Sequence, residues 1–357
     1  MTRPARAQIH LARLRHNLVR VKEAAPRSRV MAVVKANAYG HGLVPVAQAL
    51  EQADAFAVAG LEEAITLREA GCDHRIVLLE GLFDAGDATL AAAYRLDVVV
   101  HAAHQLPMLE RVPAGRRLDC WLKVDTGMHR LGFPPGDVPA VARRLSTVAG
   151  VGTIRYLTHF ARADEPDQRA TADQLACFDA LPRDSATECS LANSAAILAW
   201  PATHADWVRP GIMLYGSSPF AGRSAAELGL QPAMTLRSEL IAVHARRRGD
   251  PVGYGGDWVC ERDTHIGVVA LGYGDGYPRH ARSGTPVRVG GRRVVLSGRV
   301  SMDMLCVDLG SGTEARPGDE VILWGDGLPV DEVARSSATI AYELLCGVNR
   351  RVSYECR

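Results

Sequence analysis

The segment "AVVKANAYGHG" (Ala32–Gly42) runs three apolar residues into a lysine, then at once into small residues, an asparagine, a tyrosine and two glycines. A short β-branched run closed by a lone cation reads as a buried strand whose last side chain leaves the apolar layer. The glycines mark the turn that follows. A lysine in that place can simply carry its ammonium out to water, so the neighbouring segments decide what the pattern means.

The pattern recurs. Between about residues 30 and 216, eight β-rich runs alternate with helix-length segments: "VMAVVK", "AFAVA", "RIVLLE", "DVVVH", "CWLKVD", "TIRYLTHF", "TECSLA" and "WVRPGIMLYG". Amphipathic stretches such as "LEEAITLREAG" and "DQRATADQLACFDAL" lie between them, with apolar residues recurring at three and four. Eight such units in fewer than 200 residues predict an α/β fold, a (β/α)8 barrel of the TIM type rather than an open sheet. After about residue 230 the rhythm changes. "SELIAVHARR", "THIGVVALGYG", "TPVRVGGRRVVLSGRV" and "MLCVDLG" follow with Gly-rich turns, and one helix candidate, "VDEVARSSATIAYELLCGV", comes near the end. The Gly-Gly of "VRVGGRRVV" is a hairpin signal. We therefore expect a barrel over residues 12–230 and a mainly β domain over 231–357, with a first strand in residues 1–11 that pairs with the second domain.

The totals restrict the partners. A chain of 357 residues accommodates a large barrel and a smaller domain. Its 41 basic and 40 acidic residues nearly cancel, which leaves no electrostatic case for nucleic acid or an anionic membrane. The eight cysteines are scattered without CxxC or Cys/His ligand spacing, so no metal site is expected. "MTRPARAQIH" has no apolar signal core and no stretch approaches a membrane span. These features predict a cytoplasmic chain.

In a barrel the reactive groups gather at the C-terminal ends of the strands. Lys35 closes the first strand, Lys123 and Asp125 the fifth, and His159 the sixth. Asn193 and Ser194 follow the seventh, and Arg209 with "PGI" (Pro210–Ile212) lies at the eighth. The loops after strands seven and eight are a common barrel phosphate site. There Ser194 either holds an anion with the first free N–H groups of "NSAAILAW" or merely caps that helix. Gly211 lets the backbone approach closely from the other side. A phosphate, a lysine on strand one and an arginine on strand eight suggest a phosphorylated carbonyl cofactor held as a Schiff base, namely pyridoxal 5'-phosphate.

Seven segments, in order, then resemble the alanine racemase family: "VVKANAYGHG", "KVDTGMHRLGF", "LTHFARADE", "ANSAA", "VRPGIMLYG", "LGYGDGYPR" and "GRVSMDM". The resemblance implies a barrel plus β domain and an isomerase that interconverts L- and D-alanine in a homodimer with composite sites. It implies that Lys35 binds the cofactor and serves as one base, and that Tyr273 of the second domain is the opposed base. It further implies that Tyr39, Ser194, Gly211, Ile212 and Tyr342 contact the phosphate. Arg209 would face the pyridine nitrogen, with His159 bridging toward the tyrosine. Arg130 and the backbone N–H of Met302 would hold the substrate carboxylate. Lys123 matches a lysine often carbamylated in the family, so that it orients Arg130. One departure is "SMD" at 301–303, where many members carry Cys-Met-Asp.

Three rival readings remain at this stage. A racemase of serine or lysine would share the site. An amino-acid decarboxylase on the same plan usually pairs the pyridine nitrogen with a carboxylate, and Arg209 argues against it. A non-catalytic pyridoxal-binding protein would leave the second domain unexplained. The site is common to cell-wall and catabolic racemases, so both roles stay open.

Overall fold

The computed structural model describes residues 3–357. Residues 1 and 2 of the expected first strand lie outside the described residues. After β1 (Arg6–Ile9), the chain lays down β2 (Arg29–Val33), β3 (Ala55–Val58), β4 (Arg75–Leu78), β5 (Asp97–Val100), β6 (Leu118–Lys123), β7 (Val151–Leu157), β8 (Cys189–Ser190) and β9 (Trp207–Val208). β2 to β9 form a closed barrel. The last parallel step closes β9 onto β2, with Arg29 opposite Trp207 and Val30 opposite Val208. These strands are apolar on both faces because side chains fill the barrel on one side and helices cover the other. Phe56, Val77, Val98 and Trp121 are fully or almost fully buried. Helices such as Leu61–Glu69 and Ala170–Asp179 follow the predicted amphipathic stretches.

The two ends of the barrel differ in charge. At the end where strands begin, Arg155 donates to Asp119 at 2.9 Å and to Glu188 at 2.6 Å, and Arg75 to Asp97 at 2.5 Å. Opposite charges there are mutually satisfied, the mark of a structural face. The other end carries the cations described below.

The second part of the chain supplies β10 (Met234–Arg246), the short pair β11 (Pro251–Val252) and β12 (Trp258–Val259), then β13 (Thr264–Val269), β14 (Pro286–Val289), β15 (Arg292–Leu296), β16 (Leu305–Gly310), β17 (Glu320–Trp324) and β18 (Ser353–Cys356). Eight strands form one sheet in the order β13-β16-β15-β14-β17-β10-β1-β18, and β13 also pairs with β10. β14 and β15 meet across Gly290 and Gly291, both at positive φ, as a two-residue hairpin requires. β1 lies between β10, to which it is antiparallel, and β18, to which it is parallel. The sheet is therefore built from both ends of the chain.

Two expectations need correction. The eighth barrel strand does not span "WVRPGIMLYG": it stops at Val208, because Pro210 donates no ladder hydrogen bond, and a 3-10 turn follows at Ile212–Tyr215. The C-terminal helix is two helices, Val330–Ser336 and Ala341–Gly347. Between them Ala338 takes φ +53°, a left-handed value that no α-helix continues through.

Candidate active site

Two residues after β2, Lys35 begins a turn that the residue types do not advertise. Ala36, Asn37, Ala38 and Tyr39 have φ of 54°, 53°, 53° and 51°, one turn of left-handed helix. L-residues resist this by about 1–2 kcal/mol each, so the segment holds roughly 4–8 kcal/mol of strain that its surroundings must offset. They do so with many bonds. Ala38 N–H donates to Val34 O at 2.8 Å, and Gly42 N–H to Asn37 O at 3.0 Å. Asn37 Oδ1 accepts from Leu43 N–H at 2.9 Å, and Glu63 accepts from Asn37 N–H at 3.0 Å. Gly40, at φ +77°, packs so tightly that a Cβ there would stand 2.1 Å from Leu345 O. The turn aims the Tyr39 ring onto Tyr215, with centroids 4.6 Å apart. Tyr215 is tied to the barrel by its hydroxyl, which donates to Val33 O at 2.9 Å.

A cavity of about 1130 Å³ opens at this end of the barrel. It brings together eleven of the thirteen expected residues: Lys35, Tyr39, Lys123, Arg130, His159, Asn193, Ser194, Arg209, Gly211, Ile212 and Tyr342. Its deep part is cationic. Lys123 is buried and crowded by Arg130, Arg209 and Lys35, and burial first, then these like charges, bring its amine down to about 8. The one carboxylate that offsets this, Asp125, is engaged by His129, whose N–H donates at 2.9 Å and whose Nδ1 lies 3.1 Å away. Among the described residues, the side chains of Lys35, Lys123 and Arg130 have neither a hydrogen bond nor an ion pair. Such a cluster carries a repulsion and desolvation cost that bound anions would relieve.

Arg209 is buried and has no carboxylate partner among the described residues. Its guanidinium donates to Ser190 Oγ and Thr158 O, both at 2.6 Å, to Leu191 O at 3.1 Å and to His159 Nδ1 at 3.2 Å. Burial lowers its proton affinity to about 9, still charged at neutral pH. Because Arg209 can only donate, His159 Nδ1 is the acceptor and Nε2 carries the proton. Burial and then Arg209 hold His159 well below the ordinary histidine range, so the ring is neutral.

Ser194 is not the helix cap. Asn193 fills that place, its Oδ1 accepting from Ala196 N–H at 3.0 Å. Ser194 Oγ instead accepts from Gly211 N–H at 2.9 Å and Met213 N–H at 3.4 Å, which leaves its own proton free to donate. The helix runs only Ser194–Ala199, so its dipole adds little. The Tyr39 and Tyr342 hydroxyls likewise make no hydrogen bond among the described residues. Gly211 is required here: a Cβ would stand 2.5 Å from Tyr39 Oη. Three free hydroxyl donors over a cationic floor form an anion cradle.

Tyr273 and Met302 do not line this cavity. They are exposed on the β domain, at 38% and 53%. A brace holds them together: Tyr273 N–H donates to Ser301 O at 3.0 Å and Gly274 N–H to Met302 O at 2.8 Å. Beneath them the fully buried Asp275 accepts from Gly272 N–H at 3.0 Å and Arg3 at 2.8 Å, with Arg351 Nε 3.2 Å away. Sequence reading missed this carboxylate and the Tyr215 support, although "GYGDGY" and "VRPGIMLYG" contain both. Nothing in a local pattern says that a carboxylate faces two distant arginines.

Comparisons with known proteins agree along the whole chain. Residues 9–219 match the family described as alanine racemase, N-terminal domain, and 233–356 match alanine racemase, C-terminal domain. An alanine racemase of Aeromonas hydrophila is 53% identical over 350 residues, 98% of each chain. A biosynthetic alanine racemase of Escherichia coli K12 is 52% identical over 342 residues, 95% of each. The crystal structure of a biosynthetic alanine racemase from Pseudomonas aeruginosa superimposes with a TM-score of 0.96 at 51% identity, covering all of both chains.

Proposed function

The chain belongs to the alanine racemase family, and we propose that it interconverts L- and D-alanine with pyridoxal 5'-phosphate as its cofactor, as a cytoplasmic homodimer. One observation carries the reading: a single cavity joins an unpaired lysine at the first strand end to a donor-only guanidinium at the eighth. The relatives' shared name supports alanine as the substrate, and the word biosynthetic in two of them supports supply of D-alanine for the cell wall rather than its breakdown.

The residues present fit the cofactor. Lys35 would hold it covalently. The free hydroxyls of Tyr39, Ser194 and Tyr342, with the close backbone of Gly211 and Ile212, suit a phosphate dianion. Asn193 acts on that group through the helix it caps. Bound there, pyridoxal phosphate supplies an electron sink that acidifies the Cα–H of an amino acid joined to it. Arg209 would face the ring nitrogen and, still charged at neutral pH, would keep its proton rather than give it up. It would therefore limit the sink and discourage protonation anywhere but Cα.

Inversion needs two proton carriers on opposite faces of Cα. Lys35 moves the proton on one face with its amine. Tyr273 of one subunit would close on the cavity of the other and move the proton at its phenolic oxygen. Near pH 7 a phenol must shed about three pKa units, worth roughly 4 kcal/mol. A cation about 4 Å away supplies a comparable amount at an effective dielectric of 20; Arg209, with His159 hydrogen-bonded to it, would be the source once Tyr273 closes on the cavity. Arg130 and the Met302 N–H would grip the substrate carboxylate. Lys123, carrying CO2 as a carbamate, would turn from a rival cation into an anion that orients Arg130.

The test is incubation of purified protein with pyridoxal phosphate and L-alanine in heavy water. Deuterium should enter Cα while optical rotation decays to zero. Deuterium without loss of rotation, or release of CO2 from the substrate, would reject the reading. Serine and lysine under the same conditions set the breadth of substrate.

A further inference from the structure

His41, the residue of "AYGHG" that the chemistry above does not use, is fully buried and pressed against the Tyr215 ring, with centroids 4.7 Å apart. Its Nδ1 lies 2.9 Å from Tyr39 O. A carbonyl only accepts, so Nδ1 bears the hydrogen and Nε2 is a bare acceptor. That Nε2 is buried without a partner among the described residues. A packing residue would not need this arrangement, since a phenylalanine fills the space with no orphaned lone pair. What histidine alone adds is one N–H on the carbonyl of Tyr39, the last of the four non-glycine residues at positive φ.

We propose that His41 is a positioning residue for the Tyr39 hydroxyl, pinning the strained turn by its carbonyl so that the phenol stays directed at the phosphate of the cofactor. The inference rests on the reading of Tyr39 as a phosphate contact. Two supports converge on the same ring: Tyr215 fixes the Tyr39 face by stacking, and His41 fixes its backbone. Without the second, the turn can relax toward ordinary φ values and swing the phenol away from Gly211, whose missing Cβ makes room for it.

The experiment compares affinities of the full-length protein, freed of cofactor, for pyridoxal phosphate and for pyridoxal, which lacks the phosphate. Tyr39→Phe serves as control and should shrink the preference for the phosphorylated ligand. His41→Phe keeps a ring on Tyr215 but no donor. It should shrink the preference by about tenfold, the order of a lost hydrogen bond to a charged group, and leave pyridoxal affinity unchanged. His41→Asn keeps a donor and loses the ring, and should retain most of the preference. Equal weakening toward both ligands in His41→Phe would mean general loss of structure and overturn the proposal. So would loss of the preference in His41→Asn with its retention in His41→Phe, which would assign the effect to stacking. If Tyr39→Phe keeps the full preference, the phosphate reading itself fails and the proposal falls with it. If Tyr39→Phe loses it and His41→Phe does not, only the proposal fails.

Discussion

Replacing Lys123 by methionine should make the protein more stable at pH 7 while disabling it. The substitution keeps an unbranched side chain of similar volume and removes a titrating amine. Burial, then crowding by Arg130, Arg209 and Lys35, lowers the amine from 10.5 to about 8. At 1.36 kcal/mol for each tenfold in proton affinity, keeping the ammonium inside the folded chain at pH 7 costs about 3 kcal/mol. The sign follows from a folded-state value below the unfolded one. The cost is full below about pH 8, falls as pH rises from 8 toward 10.5, and is absent above that. Between pH 7 and 9.5 the unsubstituted protein should therefore gain about 2 kcal/mol from this group, and Lys123→Met none. Urea unfolding of both proteins in CO2-free buffer, cofactor removed, measures the difference. Parallel pH curves, or a variant no more stable at pH 7, would refute the reasoning. Near pH 8 about half of these amines are neutral, on the order of 150 times the fraction in a free lysine side chain. Labelled bicarbonate should then give a carbamate resonance in the NMR spectrum that the methionine variant lacks.

Lys35→Ala should abolish the visible absorption band that develops when pyridoxal phosphate is added, and an unchanged spectrum would remove the lysine from its role. In Tyr273→Phe, turnover should fall by 10²–10⁴, the usual worth of a general base. The α-deuterium isotope effect should rise for L-alanine more than for D-alanine, and equal effects in the two directions would contradict an opposed base. Gly211→Ala should weaken pyridoxal phosphate binding with little change in thermal midpoint, because the added Cβ meets one hydroxyl, Tyr39 Oη at 2.5 Å, at the far end of a side chain. Gly40→Ala should instead lower the midpoint by several degrees, since its Cβ strikes the backbone carbonyl of Leu345 at a left-handed φ.

The eight barrel strands were legible because each is a short apolar run buried on both faces, and such runs stand out between amphipathic segments. The site residues were legible for the same reason: a barrel delivers strand ends to one rim, so Lys35, Lys123, His159 and Arg209 could be placed by counting. The left-handed turn was not. Alanine, asparagine and tyrosine carry no signal for four successive positive φ values, and the bonds that hold them there, from the distant Glu63 and from His41 and Leu43 just beyond the turn, are not a periodic pattern. The breaks at Pro210 and Ala338 were missed because periodicity continues through both. β17 and β18 were missed as separate strands because "EVILW" and "SYEC" are too short to show alternation. The separation of Tyr273 and Met302 from the residues lining the cavity also lies beyond sequence, since no local pattern records where in the fold a loop will sit.

The sheet woven from both chain ends has a consequence for synthesis on the ribosome. β1 emerges ahead of the barrel strands, yet its antiparallel neighbour begins about 225 residues later at Met234, and its parallel neighbour ends at Cys356. At roughly 5–20 residues per second, that strand waits on the order of 10–45 s for its first partner. Four residues with alternate apolar positions are short enough to wait without recruiting a foreign strand. All eight barrel strands precede Met234 in the chain, so the barrel is free to close before the sheet assembles, and β18 then docks beside a strand made well over 300 residues earlier.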